Sequence, residues 1–188
     1  MLGYSAVIAS QKAAGTLFNT YTTAKTVINP EALATLPPGF FDRVGQTLDI
    51  DVWGAISNIV TTPGTVTFQC MLGTIVVFTT GAIQLNATAH TTLPFHLHAR
   101  LTLNAVGSGT SATFRGQAVI EGVMVTLTAG QTDGANTQST INVPATAPAV
   151  GTGFDSTIQT ILDFWAGFSI SNAGNGVQIH QYRVSSDN

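Results

Sequence analysis

Apolar and polar residues alternate along most of this chain. Leu48, Ile50 and Val52 are separated by Asp49 and Asp51. Such a period of two is the signature of a β-strand with one buried face, whereas an amphipathic helix repeats every 3 or 4 residues. The pattern therefore predicts a strand here and in several other runs, which are 65–72, 74–78, 82–85, 95–103, 114–127, 163–171 and 177–184.

Turn-forming residues separate these runs. Thr62-Pro63-Gly64, 107–110 and Asp133-Gly134 predict turns. Asn175-Gly176 is a favoured pair where a turn needs positive φ, so it predicts a hairpin between the last two strands. Helical periodicity is scarce, and the two modest candidates are 5–14 and 155–162, the second with Asp155 as its N-cap.

The predicted fold class is all-β, an antiparallel β-sandwich or jelly roll of about eight to ten strands with a short N-terminal arm. The predicted division is an arm at 1–13 and a sandwich domain at 14–188. Residues 1–30 alternate poorly, so an extended arm and an edge strand are equal alternatives for the N-terminus. The long polar segment 129–153 is expected at the periphery as a contact loop.

Charge is scarce in this otherwise globular composition. Charged residues make up 8% of the 188 residues, against about 25% in an average soluble domain. A neutral surface is cheap to desolvate, and interfaces are depleted in Lys, Glu and Asp for this reason. We therefore expect much of the surface to be covered by other subunits.

The same composition argues against several classes of protein. A net charge of −3 with six basic residues gives no footprint for nucleic acid and no polybasic patch for a membrane surface. No apolar run reaches the ~18 residues of a membrane-spanning helix. Cys70 is the single cysteine and is expected to be a small core residue. The sequence has no nucleophile elbow, phosphate loop or dinucleotide-binding motif. We therefore predict that the chain is not an enzyme and binds no cofactor.

Two pairs of polar residues on predicted strands are candidate sites. His96 and His98 share one strand face and are the candidates for a metal site, but nothing in the sequence places a third ligand. Asp49 and Asp51 also share a face. Carboxylates two residues apart on one strand favour a solvated face or an ion pair with an arginine over a hydrolytic couple.

Trp53, Trp165 and Tyr182 are the candidate interface residues. Aromatic faces suit the apolar face of a pyranose ring, so the three residues are candidates for a sugar-stacking platform. Aromatic side chains at alternating strand positions also anchor cores and protein interfaces. Both interpretations remain open from the sequence.

Several stretches of the chain resemble a group of largely uncharacterised structural proteins of tailed bacteriophages. The similarity runs from about residue 14 to the C-terminus, and its most specific part is the closing pattern NAGN-x-(V/I)-Q-(I/L)-H-Q-Y. The stretches are LPPGFF (36–41), ISNIVTTPGTVTFQ (56–69), TGAIQLNATAHTTLPF (80–95), AVGSGTSA (105–112), APAVGTGFDST (147–157) and FSISNAGNGVQIHQY (168–182). The resemblance implies an oligomeric virion component with a sandwich or jelly-roll fold, and it implies no catalytic residues.

The preferred function is accordingly a virion structural protein, a head decoration or a head or neck fibre component. Its expected partners are copies of itself, with a trimer as the working assumption, and other virion proteins such as the major capsid, neck or tail proteins. The alternative is a receptor- or glycan-binding domain of a tail fibre or tail tip, with a host surface glycan as partner.

Overall fold

The computed structural model describes residues 5–59, 62–122, 139–145 and 149–187. Within these ranges the chain forms an antiparallel β-sandwich of two sheets. Nine of the strands have five or more residues, and a 3-10 turn at Pro30–Ala32 precedes β4. The strands are β1 (Ser5–Ser10), β2 (Phe18–Asn19), β3 (Lys25–Thr26), β4 (Ala34–Leu36), β5 (Thr47–Asn58), β6 (Thr65–Leu72), β7 (Ile75–Thr79), β8 (Ile83–Gln84), β9 (His90–Ala105), β10 (Thr113–Gly122), β11 (Ser139–Val143), β12 (Ala149–Val150), β13 (Thr160–Phe168) and β14 (Gly176–Asp187).

The two sheets differ in size. The large sheet has eight strands in the order β1-β14-β5-β9-β10-β11, with β2 beside β14 and β12 beside β10. The small sheet has six, in the order β3-β13-β6-β7, with β4 beside β13 and β8 beside β6. Among the described residues no helix is long and apolar enough to span a membrane.

Alternation along β5 and β9 builds the centre of the large sheet. Leu48 lies opposite Leu101, and Val52 lies opposite Leu97. All four side chains are fully buried, as are Ile50 and Ala99, whereas Asp49, Asp51, His98 and Arg100 point outward. The sequence prediction of these strands is confirmed, because one face of each strand packs on the small sheet and the other does not.

Aromatic rings join the two sheets across the core. Phe68 of β6 stacks on Phe95 of β9 with ring centroids 5.4 Å apart. Phe164 of β13 lies 5.9 Å from the ring of Tyr182 in β14. Such contacts add to the burial of apolar area, and they tie strands that no backbone hydrogen bond connects.

Both helical candidates are wrong. Within 5–14, Ser5–Ser10 form β1, which pairs with β14 at the edge of the large sheet. Within 155–162, the Asp155 carboxylate accepts hydrogen bonds from the backbone N–H groups of Thr157 and Gly109, both at 2.8 Å. Together with the Thr157 hydroxyl, these bonds lower the pKa of Asp155. Asp155 thus caps a turn that leads into β13, as a short Asx side chain does at a helix start.

The hairpin predicted at Asn175-Gly176 is also wrong. β13 and β14 lie in different sheets, so residues 169–175 cross from the small sheet to the large one. Asn175 is fully buried; its Nδ2 donates to the carbonyl of Pro63 (2.9 Å), and its Oδ1 accepts from the N–H of Ile59 (3.1 Å). The side chain bridges two connections at one end of the sandwich.

Parts of three sequence predictions lie outside the described residues. These are the end of the strand predicted at 114–127, the turn at Asp133-Gly134, and much of the segment 129–153. In its described parts, 139–143 and 149–150 form β11 and β12, and both pair with β10. The division into an arm at 1–13 and a domain at 14–188, and the role of 129–153 as a contact loop, stay predictions.

The buried thiol of Cys70 gives a first testable expectation. Burial raises its pKa from 9.0 to about 12, so between these values the unfolded chain releases a proton that the folded chain keeps. The contribution of this thiol to the free energy of unfolding is therefore fully present below pH 9. Above pH 9 the free energy of unfolding should fall, by roughly 1.4 kcal/mol per pH unit for this group.

Denaturant titrations between pH 8 and pH 11 of the wild type and of Cys70→Ala measure this slope. The difference between the two proteins isolates the thiol, since other alkaline groups titrate in both. Parallel pH profiles would show that Cys70 ionises alike in the folded and unfolded chains.

Candidate functional site

The outer faces of the two sheets differ in charge. Four strands of the large sheet, β5, β9, β10 and β14, hold seven of the fifteen charged residues: Asp49, Asp51, Arg100, Arg115, Glu121, Arg183 and Asp187. The three long strands of the small sheet, β6, β7 and β13, hold one, Asp163, and the two-residue edge strand β3 adds Lys25. The fold thus gives the molecule one polar sheet face and one nearly neutral sheet face.

Trp53 is the most prominent side chain on the polar face. It is 46% exposed, and its indole stacks on the His96 imidazole with ring centroids 4.0 Å apart and an interplanar angle of 13°. His96 Nε2 in turn lies 2.6 Å from Asp51 Oδ1. Asp51 thus positions the His96 imidazole, and the imidazole in turn supports one face of the Trp53 indole.

Asp49, the second carboxylate of β5, pairs with an arginine. Arg100 donates from two nitrogens to the two oxygens of Asp49, at 2.7 and 3.1 Å, and this contact raises the pKa of Arg100. An ion pair was one of two roles predicted for the carboxylates at 49 and 51. Since the pair is exposed, it contributes little to stability.

His96 and His98 do not converge on a shared ligand position. His96 contacts Asp51, whereas His98 Nε2 lies 3.7 Å from Asp49 Oδ1. In the described ranges no three His, Cys, Asp or Glu side chains are grouped as metal ligands.

A groove lies along the β14 side of Trp53. It has a volume of about 400 Å³ and is lined by Ser10, Gln11, Asp51, Trp53, Gln181, Tyr182 and Arg183. A bulge in β14 creates it: the register shifts between Ile179 and Gln181, so that both His180 and Gln181 are exposed. Bulges commonly re-aim side chains in this way.

On the neutral face, the lone carboxylate is occupied by its neighbours. Asp163 Oδ1 accepts from the Thr26 hydroxyl (2.7 Å), and its Oδ2 accepts from the indole N–H of Trp165 (2.6 Å). Trp165 is half-buried. The main hydrogen-bonding capacity of this carboxylate is thus satisfied within the chain, which lowers the free-energy cost of covering it.

The three aromatic candidates therefore lie in three different environments. Trp53 is on the polar face and Trp165 on the neutral face. The prediction of an interface position is corrected for Tyr182. Its side chain is 2% exposed and packs in the core, because the β14 bulge turns it inward. The three residues do not form one stacking platform.

Sequence reasoning missed the polar residues beside Trp53, namely Ser10, Gln181 and Arg183. A signal for the last two exists, since the apolar positions Val177 and Ile179 are out of phase with Tyr182 and Val184. That change of phase indicates a bulge. No comparable signal brings Ser10 to the same groove.

No family model matches the chain, and no curated protein matches it. Among solved structures, it is similar to the CBM2 module of the evolved Dit of Lactobacillus casei BL23 phage J-1, with 11% sequence identity and a TM-score of 0.34. The alignment covers 100% of this chain and 98% of that one. At this distance, any site has to be assigned from this chain's own residues.

The environment of Tyr182 leads to a prediction about stability. Its hydroxyl is buried without a hydrogen-bond partner among the described residues, and burial raises its pKa well above the ordinary value. Tyr182→Phe should leave the free energy of unfolding unchanged or raise it by about 1 kcal/mol, because an unpaired buried hydroxyl destabilises the fold.

Tyr182→Ala is the matched variant and should lower the free energy of unfolding by about 3–5 kcal/mol through the cavity that it leaves. Urea denaturation of the three proteins measures both effects. A marked loss of stability in Tyr182→Phe would mean that the hydroxyl has a bonding partner in solution.

Proposed function

We propose that this chain is a structural component of a tailed-bacteriophage virion and works as a homo-oligomer. The single observation that supports assembly best is the neutral outer face of the small sheet. Its three long strands carry one carboxylate, and that carboxylate is already hydrogen-bonded. Lys25, in the edge strand β3, lies 3.7 Å from the centre of the Tyr21 ring. A second copy can therefore cover the centre of this face, formed by the three long strands, without removing an unpaired ion from water.

The sparse charge of the whole surface supports the same proposal. The chain exposes 8990 Å², shared among 15 charged residues, or about 600 Å² for each. Average usage would give about 190 Å² per charged residue at this size. Seven of the fifteen are concentrated in four strands of the large sheet, so the remaining surface is still poorer in charge.

An apolar groove continues the neutral face at one end. It has a volume of about 620 Å³, and its lining includes Leu72, Ile75 and Phe154. Asp155 also lines it, with its carboxylate hydrogen-bonded by the N–H groups of Gly109 and Thr157. Two exposed residues also line it, Ile158 (56%) and Ile161 (46%). Large apolar side chains in this exposed position favour contact with a symmetry mate. Closed symmetry would at the same time cover sheet edges that otherwise invite aggregation.

The virion assignment is supported by the phage-like stretches of the sequence and by the sandwich fold that they imply. Within the virion, a head decoration or a head or neck fibre remains the specific proposal, with a trimer as the working assembly. The test is mass spectrometry and averaged electron cryomicroscopy of virions from the phage that encodes the chain. Density for several copies around a symmetry axis would support the proposal, and absence of the chain from purified virions would overturn it.

A second candidate function is receptor or glycan binding at a tail fibre or tail tip. The observation that favours it is separate from the neutral face. Trp53 is exposed beside a polar groove on the opposite sheet. The two functions use different faces of the sandwich and do not exclude each other.

Gln69→Glu tests the assembly face with almost no change of shape. Gln69 is half-buried on β6 opposite Trp165, so the variant adds a carboxylate to the neutral face. We expect the dissociation constant of the oligomer to rise at least about tenfold, because an unpaired buried charge costs a few kcal/mol. Light scattering coupled to size-exclusion chromatography, over a range of concentrations, measures the change.

Gln117→Glu is the matched control. It makes the same isosteric change at an exposed position of β10, on the outer face of the large sheet, opposite Arg100. This variant should assemble like the wild type. A wild type that remains a single chain at high concentration would overturn the assembly proposal, and equal effects of the two variants would overturn the choice of face.

A further inference from the structure

We propose that the groove beside Trp53 is a binding site for a neutral hexopyranose of an oligosaccharide. The inference rests on the second candidate function, glycan binding, and assigns it a place and a ligand chemistry. It is independent of the assembly proposal, because the groove lies on the opposite sheet from the neutral face.

One side of the Trp53 indole is covered by His96, and the other side faces the groove. Trp53 on β5 lies directly between His96 on β9 and Gln181 on β14. Its ring stacks on His96, so that side is closed. The groove lies on the β14 side, and the 46% exposure of Trp53 is consistent with an indole that forms its wall.

The second step concerns the polar groups around that wall. Ser10, Gln181 and Arg183 are exposed, and within the described residues their side chains make no hydrogen bond or ion pair. Asp51 uses Oδ1 toward His96, and no described residue donates to its Oδ2. The groove therefore offers a hydroxyl, an amide, a guanidinium and a carboxylate oxygen, which are both donors and acceptors.

The chemistry of these groups selects the ligand. A pyranose presents C–H groups on a face that can lie on an aromatic ring, and hydroxyl groups around its rim that both donate and accept hydrogen bonds. The polar lining disfavours a purely apolar ligand, since burial of unpaired polar groups is unfavourable. The four large-sheet strands carry four acidic residues and three arginines, so the face lacks the excess positive charge that a phosphate backbone requires.

The third step concerns rigidity. Gln11, at the rim, is held by bonds from its Nε2 to the carbonyl of Ile179 (2.9 Å) and from the N–H of Asn29 to its Oε1 (3.2 Å). Asp51 lies within hydrogen-bond distance of His96, and the His96 ring stacks on one face of the indole. The indole and Gln11 are therefore fixed before binding, and the ordering of side chains on binding is confined to Ser10, Gln181 and Arg183.

The experiment uses the two tryptophans as a matched pair. The full chain is applied to a printed array of neutral, acidic and phosphorylated oligosaccharides, and hits are titrated by tryptophan fluorescence in Trp165→Phe, where Trp53 is the single reporter. Lactose, cellobiose, maltose and N-acetyllactosamine serve as soluble probes. We expect binding of at least one neutral saccharide, with a change in the Trp53 emission.

Trp53→Ala should weaken that binding about tenfold or more, as loss of a central aromatic contact does, whereas Trp165→Ala should not. Gln181→Ala and Arg183→Ala should weaken it with unchanged thermal stability, which separates a contact role from a structural one. Calorimetric titration measures all four variants.

The outcomes distinguish failure of this binding site from failure of glycan binding by the chain as a whole. Binding that survives in Trp53→Ala would overturn this site and leave glycan binding elsewhere on the chain. No binding of any saccharide would overturn both. Binding restricted to phosphorylated or acidic saccharides would overturn the neutral ring, because the anionic group would then be the feature that is recognised.

Discussion

Side chains alternate across a β-strand, and in a sandwich of two sheets each sheet packs only one of its two faces against the other sheet. The inner face is set by packing: Leu48, Ile50 and Val52 meet residues of β9 in a core without exposed surface. The outer face has no such demand, and its residues are free to serve solvent, ligands or other subunits. What each outer face can bind depends on how the two faces differ.

The difference lies in how charge is distributed and compensated. On the large sheet, Asp49 and Asp51 have a guanidinium and an imidazole as partners, and exposed polar side chains remain around them. On the small sheet, Asp163 is hydrogen-bonded by a hydroxyl and an indole, which are uncharged groups. Neutral donors satisfy a carboxylate without adding a second ion that a partner would have to desolvate. One face is thus suited to a polar ligand, and the other to another protein surface.

Much of the fold could be predicted from the sequence. In the strands at 47–58, 65–72 and 90–105, burial of one face gives an alternation of apolar and polar residues that can be recognised directly. The prediction of a hairpin at Asn175-Gly176 was wrong because the pair Asn-Gly indicates only a local backbone preference for turns. Its actual bonding partners, Pro63 and Ile59, are more than 100 residues away in the chain. The helix proposed at 155–162 failed for a related reason, since the Asp155 cap serves a turn as well as a helix.

The candidate site was predictable only in part, for reasons of geometry. Trp53, His96 and Asp51 sit at outward positions that alternation identifies, but their contact depends on the register of β5 with β9. Ser10 reaches the groove because β1 pairs with β14 at the sheet edge. Alternation excludes register shifts of one residue, but it does not say which strands pair or which residues lie opposite each other when no tight turn joins the strands.

The bulge in β14 connects the core to the proposed ligand site. Val177 and Ile179 point inward, and in a regular strand Gln181 and Arg183 would follow them into the core. The extra residue at His180 reverses the phase, so that Tyr182 and Val184 fill the core instead. Burying an amide and a guanidinium would be far more costly than burying Tyr182 with one unpaired hydroxyl. The same irregularity that keeps the core apolar therefore places the two polar side chains beside Trp53.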